Sequence, residues 1–154
     1  MLKKLAVVAV SLLTAAVGVI LPAVPAQAAS SCSGSMIAYS NIKTSSGTVV
    51  GEIAVYYNSA TGYNCARYNH RGPTYGVASQ TMIRIERCHE TTNRNQCTTS
   101  FSDPASWEST SIGNFAYYAG PVQVYAPNNC VYVEGYVTYA GREWWPSLPV
   151  ALGC

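Results

Sequence analysis

The sequence predicts an all-β domain, a small antiparallel sandwich or barrel of about seven or eight strands, stapled by three disulfides. After residue 28 the chain consists of short runs in which apolar and polar residues alternate, and helical periodicity is absent. Clusters of Gly, Asn, Ser and Pro separate these runs, as turns do between neighbouring antiparallel strands. All six cysteines follow residue 28, and an even number favours disulfides.

The N-terminal segment, residues 1–28, has the order of a secretory signal peptide. Lys3 and Lys4 give a positive start, an apolar run follows, and Ala26-Gln27-Ala28 is a small-residue cleavage motif. We expect cleavage after this motif, which leaves residues 29–154 as a single disulfide-stapled β domain. An uncleaved membrane anchor is the alternative, since about 18 apolar residues span a bilayer. The complete cleavage motif favours a secreted, extracellular protein with no membrane contact after cleavage.

The charge of the chain argues against some partners. The formal net charge is +2, and Lys3 and Lys4 account for it, so residues 29–154 are balanced. Nucleic acid and anionic membranes are bound by clustered basic surfaces, which a balanced and charge-poor chain does not offer. A tyrosine-rich surface with few charges favours contact with another molecule, so we predict a protein that lies against a partner.

The first half of the domain is predicted to hold four strands. Met36–Lys43 is a short run that ends at the turn signal TSSG. Thr48–Tyr57 is a long alternating run, and the loop NSATG connects it to Tyr63–His70 as a hairpin. Thr81–Cys88 alternates isoleucines with an arginine and a glutamate, which is typical of a half-buried strand.

The second half is less regular. Cys97–Phe101 is predicted as a returning strand, and the segment SDPASW after it as irregular. Phe115–Tyr118, Val122–Tyr125 and Val131–Tyr139 are predicted as the last strands. The segment GREWWPSLP, residues 141–149, is expected to be a loop with two tryptophans.

The clearest run, Val131–Tyr139, has two unlike faces. Its valines at odd positions are predicted to face the core: Val131, Val133 and Val137. Tyr132, Glu134 and Tyr136 are predicted to face outward or to lie under a loop. A slip of one residue would bury the Glu134 carboxylate without a partner.

The cysteines are expected to form disulfides because export places them in an oxidising compartment. Cys88 and Cys97 flank a polar turn between two strand-like runs, so we predict that they bond to each other. The remaining four allow three pairings. We favour the pairs Cys32–Cys154 and Cys65–Cys130. No metal site and no cofactor are predicted, since no CxxC pair occurs and the histidines do not stand at ligand spacing with cysteines.

Motifs for catalysis were not found. The sequence contains no nucleophile elbow, P-loop or HExxH motif. Asp103 precedes Pro104, a pair that favours a turn. Glu52 and Glu134 could form a carboxylate pair for glycoside hydrolysis, but outward-facing glutamates are ordinary on half-buried strands. We therefore predict a protein that is not an enzyme, with no catalytic residues.

Aromatic residues are the first candidates for binding. Tyr132 and Tyr136 form a row on one strand face, and aromatics are enriched at interfaces, although cross-strand packing is the alternative. Trp144 and Trp145 are adjacent. Neighbouring residues in an extended chain point to opposite sides, so one ring is expected in the core and the other exposed. The alternative to a contact role for these rings is a tryptophan that caps the end of the barrel.

The loop closed by Cys88 and Cys97 is the other candidate. Arg94 lies near its tip. Some protease inhibitors present such a closed loop, because preorganisation reduces the entropy lost on binding. A stapled hairpin with no binding role is the alternative reading of the same residues.

Short phrases rich in Tyr, Gly and Cys resemble a known family. YYNSATGYNC (residues 56–65), DPASW (103–107) and YYAGPVQVYAPNNCVYVEG (117–135) are similar to spore-associated protein A of filamentous sporulating actinobacteria. The similarity extends over about residues 47–154. It includes cysteines equivalent to Cys65, Cys130, Cys32 and Cys154. Cys88 and Cys97 look like an addition to the family pattern, which supports pairing them with each other.

Members of this family are small exported proteins found with spores. The resemblance therefore implies a location and a non-enzymatic character, and it supplies neither a ligand nor a catalytic residue. We predict a secreted, non-enzymatic surface or binding protein, with the spore or cell surface as its expected location. Its predicted partner is an unknown protein or a component of the cell or spore surface. The alternative is an inhibitor of a secreted hydrolase that presents the Cys88–Cys97 loop. A third hypothesis is a carbohydrate-active enzyme that uses Glu52 and Glu134.

Overall fold

Two antiparallel sheets of four strands each make up the fold in a computed structural model, which describes residues 31–92, 95–97, 108–146, 148 and 151–154. The strands are β1 (Ser35–Lys43), β2 (Val49–Asn58), β3 (Tyr63–His70), β4 (Ser79–Arg87), β5 (Glu108–Phe115), β6 (Tyr118–Tyr125), β7 (Val131–Tyr139) and β8 (Arg142–Trp144). The first sheet has the order β1-β2-β3-β6, and the second has the order β5-β4-β7-β8. A 3₁₀ turn, Gly72–Thr74, lies between β3 and β4. The predicted all-β class is confirmed, and of the two predicted architectures, sandwich or barrel, the chain forms the sandwich.

The hairpin of β2 and β3 forms where the sequence predicts it. Asn58 starts the loop, and its side-chain oxygen accepts a hydrogen bond from the amide of Ala60 at 3.0 Å. This is the local bond by which Asn favours turns. Gly62 closes the loop with a φ of 74°, a conformation that glycine adopts without a steric cost.

The core lies between the sheets and consists of aliphatic residues at alternate strand positions. Its larger members are fully buried: Ile42, Val50, Ile53, Val55, Ile83, Ile85, Val131 and Val137. Tyr68 also lies in this core, and its ring packs directly over β2. A Cβ atom at Gly51 would lie 1.9 Å from the Tyr68 hydroxyl oxygen, so a side chain at Gly51 would collide with that ring.

The predicted facing of β7 is confirmed. Val131, Val133 and Val137 are at most 2% exposed and belong to the core. Tyr132 and Glu134 point away from the core and are half-buried. The strict two-residue period of this strand was therefore sufficient to orient it.

Two assignments in the second half of the chain were wrong. Residues 108–115 form β5, which the sequence analysis left without a strand, and residues 116–117 turn between β5 and β6 instead of continuing a strand. β5 is an edge strand with serine, threonine or asparagine at half of its positions, so it lacks the aliphatic period that reveals a buried strand.

The segment expected to be a loop begins with β8, which pairs with β7. The two residues between them, Ala140 and Gly141, both have positive φ, at 53° and 77°. This is the backbone of a type I′ hairpin turn, for which Asn-Gly is the stronger sequence signal. Of the predicted strand Cys97–Phe101 and the segment SDPASW, only Cys97 lies within the described residues.

All six cysteines are paired. The predicted bond Cys88–Cys97 is confirmed, with the two Cα atoms 4.9 Å apart. The favoured pairing of the other four was wrong: the bonds are Cys32–Cys65 and Cys130–Cys154.

The register of the strands explains both of these bonds. β1 starts opposite the part of β2 where Tyr56 pairs with Cys65, which brings the preceding Cys32 close to Cys65. Leu152 forms a bridge with Val131, which places Cys154 beside Cys130. Three disulfides are compatible with an extracellular protein. In the described part of the chain, no helix has the length and apolar character needed to cross a membrane.

Candidate functional site

The outer face of the first sheet carries a row of polar side chains. The register places Asn41 opposite Glu52, Glu52 opposite Asn69, and Asn69 opposite Tyr118. Their neighbours along the strands, such as Ile53 and Tyr68, face the core, so this row faces outward. Four strands therefore bring four polar groups into one line across the sheet.

Glu52 lies at the centre of a hydrogen-bond network on this face. Its Oε2 accepts bonds from the Tyr39 hydroxyl at 2.9 Å and from Arg71 Nε at 2.8 Å. Its Oε1 accepts bonds from Asn69 Nδ2 at 2.9 Å and from Arg71 Nη2. Burial alone would raise the pKa of the Glu52 carboxyl, but the bonds from Arg71, Tyr39 and Asn69 outweigh burial and hold the pKa below its usual value.

A pocket of about 500 Å³ lies beside this network. We call it the tyrosine–arginine pocket, after the side chains that line it: Arg67, Asn69, Arg71, Tyr75, Tyr117 and Tyr118. Tyr75 follows the 3₁₀ turn, and Tyr117 lies in the turn between β5 and β6. Backbone bonds from Gly76 to Ala116 and from His70 to Tyr117, both 2.8 Å long, hold the two turns together. The rings of Tyr75 and Tyr117 meet edge to face, with centroids 5.2 Å apart.

Among the described residues, Arg67 is the cation of this pocket that has no carboxylate partner. Its guanidinium carbon lies 5.6 Å from the centroid of the Tyr118 ring, within the range of a cation–π contact. Its Nε is buried and has no hydrogen-bond partner among the described residues. The ion pairs of the described residues involve Arg71 and Arg84, and none involves Arg67.

His70 supports the turn that carries Tyr75. The imidazole is fully buried, with Nδ1 3.0 Å from the Thr74 carbonyl oxygen and Nε2 2.8 Å from the Thr81 hydroxyl. Burial lowers the pKa of His70, although the bond to Thr74 opposes the shift. A buried, neutral histidine with both nitrogens in contact with polar groups has a structural role here.

The outer face of the second sheet has the opposite charge arrangement. Arg84 lies 2.8 Å from Glu86, 2.9 Å from Glu134 and 4.0 Å from Glu108. Burial raises the pKa of the Glu86 carboxyl, and the nearby Glu108 and Glu134 add to this shift while Arg84 opposes it. One guanidinium is therefore shared by three carboxylates.

The predicted tyrosine row lies on this second face and is largely covered. The Tyr132 hydroxyl donates to Glu134 Oε2 at 2.9 Å. Burial raises the pKa of Tyr132, and this bond adds to the shift. Tyr136 is only 7% exposed because the Trp145 ring packs on it, with centroids 4.9 Å apart. The side chains of this row therefore contact other side chains on the same face, as in cross-strand packing.

The two tryptophans divide as the sequence predicts. Trp144 packs against the core, and its Nε1 donates to the Tyr139 carbonyl oxygen at 3.0 Å. Trp145 is 48% exposed. Arg94, the candidate residue of the disulfide-closed loop, lies outside the described residues.

The carboxylate pair of the third hypothesis does not form. Glu52 is on β2 of the first sheet and Glu134 on β7 of the second, and both point away from the core between the sheets. The hypothesis of a glycosidase that uses these two residues was therefore wrong. Within the described residues, the grouping with metal-ligand spacing is Cys88, Glu90 and Cys97, but its two cysteines form a disulfide.

The tyrosine–arginine pocket was not predicted from the sequence. Tyr117 falls in the run Phe115–Tyr118, which was predicted as a strand. Tyr75 stands in the turn segment RGPTYG, where a tyrosine is more exposed than in a strand. That signal was available, but the contact between the two turns depends on β5 and on the corner after it, which the sequence analysis did not place. Arg67 and Asn69 alternate with core residues on β3, as outward-facing residues do.

The fold and this site together define a disulfide-linked β-sandwich with a polar, aromatic pocket on one outer face. Comparison of the chain with protein-family models, with curated proteins and with solved structures finds no match in any of the three.

Proposed function

We propose that this chain is an exported, non-enzymatic binding protein that attaches to a component of the spore or cell surface through the tyrosine–arginine pocket. The observation that carries the proposal is Arg67, a half-buried cation without a carboxylate partner among the described residues. Removing a charge from water without pairing it costs free energy. A ligand with an anionic group would pair with Arg67 and offset that cost, which favours binding in this pocket.

Export is supported by the signal-like N-terminal segment and by the three disulfides, which persist in oxidising compartments. The resemblance to spore-associated proteins makes the spore surface the first place to look for a partner. The alternative, an inhibitor of a secreted hydrolase, stays a prediction, because Arg94 lies outside the described residues.

The test is retention of tagged, oxidised residues 29–154 on washed spores and on vegetative cells of a filamentous sporulating actinobacterium. We expect wild-type protein to be retained on at least one of these surfaces, and Arg67→Gln to reduce retention about tenfold, the effect of losing about 1.4 kcal/mol of binding free energy.

Arg142→Gln is the matched control, because Arg142 also stacks on an aromatic ring, that of Trp144 at 4.3 Å, but lies on β8 of the second sheet. Its retention should equal that of the wild type. Retention of Arg67→Gln at the wild-type level, with an unchanged thermal melt, would refute the proposal. So would the absence of wild-type retention on both surfaces.

A further inference from the structure

The lining of the tyrosine–arginine pocket limits the chemistry of its ligand. All six lining side chains end in a polar group, and none is aliphatic. Many peptide ligands insert aliphatic anchors into aliphatic grooves, and this lining has no aliphatic side chain to receive them. A ligand that is itself covered with hydroxyl groups can form hydrogen bonds with every one of these side chains.

The charge of the pocket favours an anion. Two guanidinium groups, Arg67 and Arg71, line it, and one carboxylate, Glu52, pairs with Arg71. This leaves an excess of one positive charge, located at Arg67. A planar guanidinium binds carboxylate or phosphate oxygens with two parallel hydrogen bonds, which are stronger than bonds between neutral groups.

The binding groups around this cation are already held in position. Glu52 accepts bonds from Asn69 Nδ2 and from Nε and Nη2 of Arg71. Arg71 and Asn69 also line the pocket, so these bonds fix two of its polar side chains beside Arg67. Holding them in place before binding reduces the side-chain entropy that a ligand must overcome.

The aromatic part of the pocket offers an open platform. Tyr75 is 59% exposed and Tyr117 is 45% exposed. Their edge-to-face contact leaves ring surface uncovered beside the two arginines. An aromatic face provides a flat apolar surface, and the phenol hydroxyl at its rim provides a hydrogen bond. The flat C–H face of a sugar ring with hydroxyl groups at its edge matches both features.

We propose that the tyrosine–arginine pocket binds an acidic saccharide, a sugar ring that carries a carboxylate or a phosphate group. The anionic group pairs with Arg67, and the ring lies on Tyr75 and Tyr117. This inference rests on the proposed function, since it names the chemical class of the surface component to which the protein attaches.

The test is titration of oxidised residues 29–154, followed by calorimetry or by amide NMR shifts. The probes are trigalacturonate, neutral galactotriose and glucose 1-phosphate. We expect at least one acidic probe to bind about tenfold more tightly than galactotriose, which corresponds to about 1.4 kcal/mol. The affinity for that probe should fall as the salt concentration rises, because an exposed ion pair is screened. Whether trigalacturonate or glucose 1-phosphate binds more tightly shows whether the anionic group of the ligand is a carboxylate or a phosphate.

Two sets of variants locate the site. Arg67→Gln should remove the preference for the acidic probe, whereas Arg67→Lys should keep part of it, since lysine retains the charge without the planar fork. Tyr75→Ser/Tyr117→Ser should weaken binding at least fivefold.

The matched control for the aromatic pair is Tyr63→Ser/Tyr125→Ser. These rings form a similar exposed pair on the same sheet, with centroids 5.5 Å apart, and do not line the pocket. This control should bind like the wild type.

The outcomes separate this inference from the proposed function. The proposal of an acidic saccharide is overturned if neutral and acidic probes bind with equal affinity. It is also overturned if the Tyr63/Tyr125 control loses as much affinity as the Tyr75/Tyr117 variant. Absence of binding to all three probes overturns it as well. If retention on spores or cells still depends on Arg67 in that case, the proposed function stands without this ligand.

Discussion

The outer faces of the two sheets are electrostatic opposites built on the same strand geometry. On the first sheet, the Glu52 carboxylate receives hydrogen bonds from three side chains: Tyr39, Asn69 and Arg71. On the second sheet, the Arg84 guanidinium is shared by three carboxylates: Glu86, Glu108 and Glu134. The first arrangement supplies four donors to the roughly four lone-pair sites of one carboxylate. The second places more negative charge around its cation than that cation can balance.

The pKa values of the two buried glutamates follow from this difference. Glu52 and Glu86 are each 7% exposed, so burial disfavours the charge on both. At Glu52 the hydrogen bonds outweigh burial, and its pKa falls. At Glu86 the other carboxylates add to the effect of burial, and its pKa rises. Similar burial therefore has opposite results, decided by the neighbours of each carboxyl.

The tyrosines of the two faces differ as well. Tyr75 and Tyr117 lie in turns and expose about half of their surface, at 59% and 45%. Tyr136 lies in the middle of β7 and is covered by Trp145. Tyrosine thus serves as accessible surface on one face and as packing on the other, and only the accessible rings are free to contact a ligand.

The largest expected effect tests this division between the tyrosines. Tyr136→Ser should lower the free energy of unfolding by about 3 kcal/mol, because it deletes a buried ring and leaves a cavity beneath Trp145. Tyr75→Ser should change it by less than about 0.5 kcal/mol, as is usual for an exposed side chain. Urea unfolding of both variants with intact disulfides measures the difference. Equal losses in the two variants would show that the faces are not distinct in this way.

The second effect tests the role of Glu52. Glu52→Gln should lower the free energy of unfolding by about 2 kcal/mol at pH 7, because an amide group then faces the donors of Arg71 and Asn69 and leaves part of them unpaired. Glu108→Gln is the control, since the Glu108 side chain is 48% exposed and lies 4.0 Å from Arg84. Its effect should be below about 0.5 kcal/mol.

The pH dependence of the Glu52 effect has a definite sign. The folded-state pKa of Glu52 lies below the ordinary value of 4.5, so the ionised carboxylate stabilises the fold above pH 4.5. That contribution is lost as the pH falls through the lowered pKa. The difference in stability between wild type and Glu52→Gln should therefore be full at pH 7 and shrink below pH 4.5. A difference that grows on acidification would contradict the network.

Strand patterns in the sequence were enough to predict some parts of this fold. The hairpin of β2 and β3 and the facing of β7 depend on local turn chemistry and on a two-residue period, and both are confirmed. Two disulfide pairings were predicted wrongly because they depend on strand register. The partner of Cys32 is decided by which residue of β2 and β3 lies beside the start of β1.

The candidate site was harder to predict than the fold. Its two arginines stand four residues apart around β3, but Tyr75 and Tyr117 come from turns that are distant in the chain. Their contact requires β5, a polar edge strand without a clear sequence signal. The opposite pKa shifts of Glu52 and Glu86 likewise arise from neighbours on adjacent strands, which no pattern within one strand reveals.

The smallest expected effect is at Glu86, and it should have the opposite sign to that at Glu52. The folded-state pKa of Glu86 lies above 4.5, so the protonated carboxyl is the form that the fold favours. The stability from this group is full below pH 4.5 and is lost as the pH rises through the raised pKa. Glu86→Gln mimics the protonated form, and Arg84 keeps its contact with Glu134 at 2.9 Å.

We therefore expect Glu86→Gln to raise the free energy of unfolding by only about 0.5 kcal/mol at pH 7, because the lost contact with the part-exposed Arg84 offsets much of the gain from removing a buried charge. The gain should vanish near pH 4, where wild-type Glu86 is itself protonated. Urea unfolding at both pH values measures it. Loss of stability in Glu86→Gln at pH 7 would mean that the ion pair with Arg84 stabilises the ionised form of Glu86 by more than burial disfavours it. The buried carboxylates of both faces would then be held ionised by their hydrogen-bond donors.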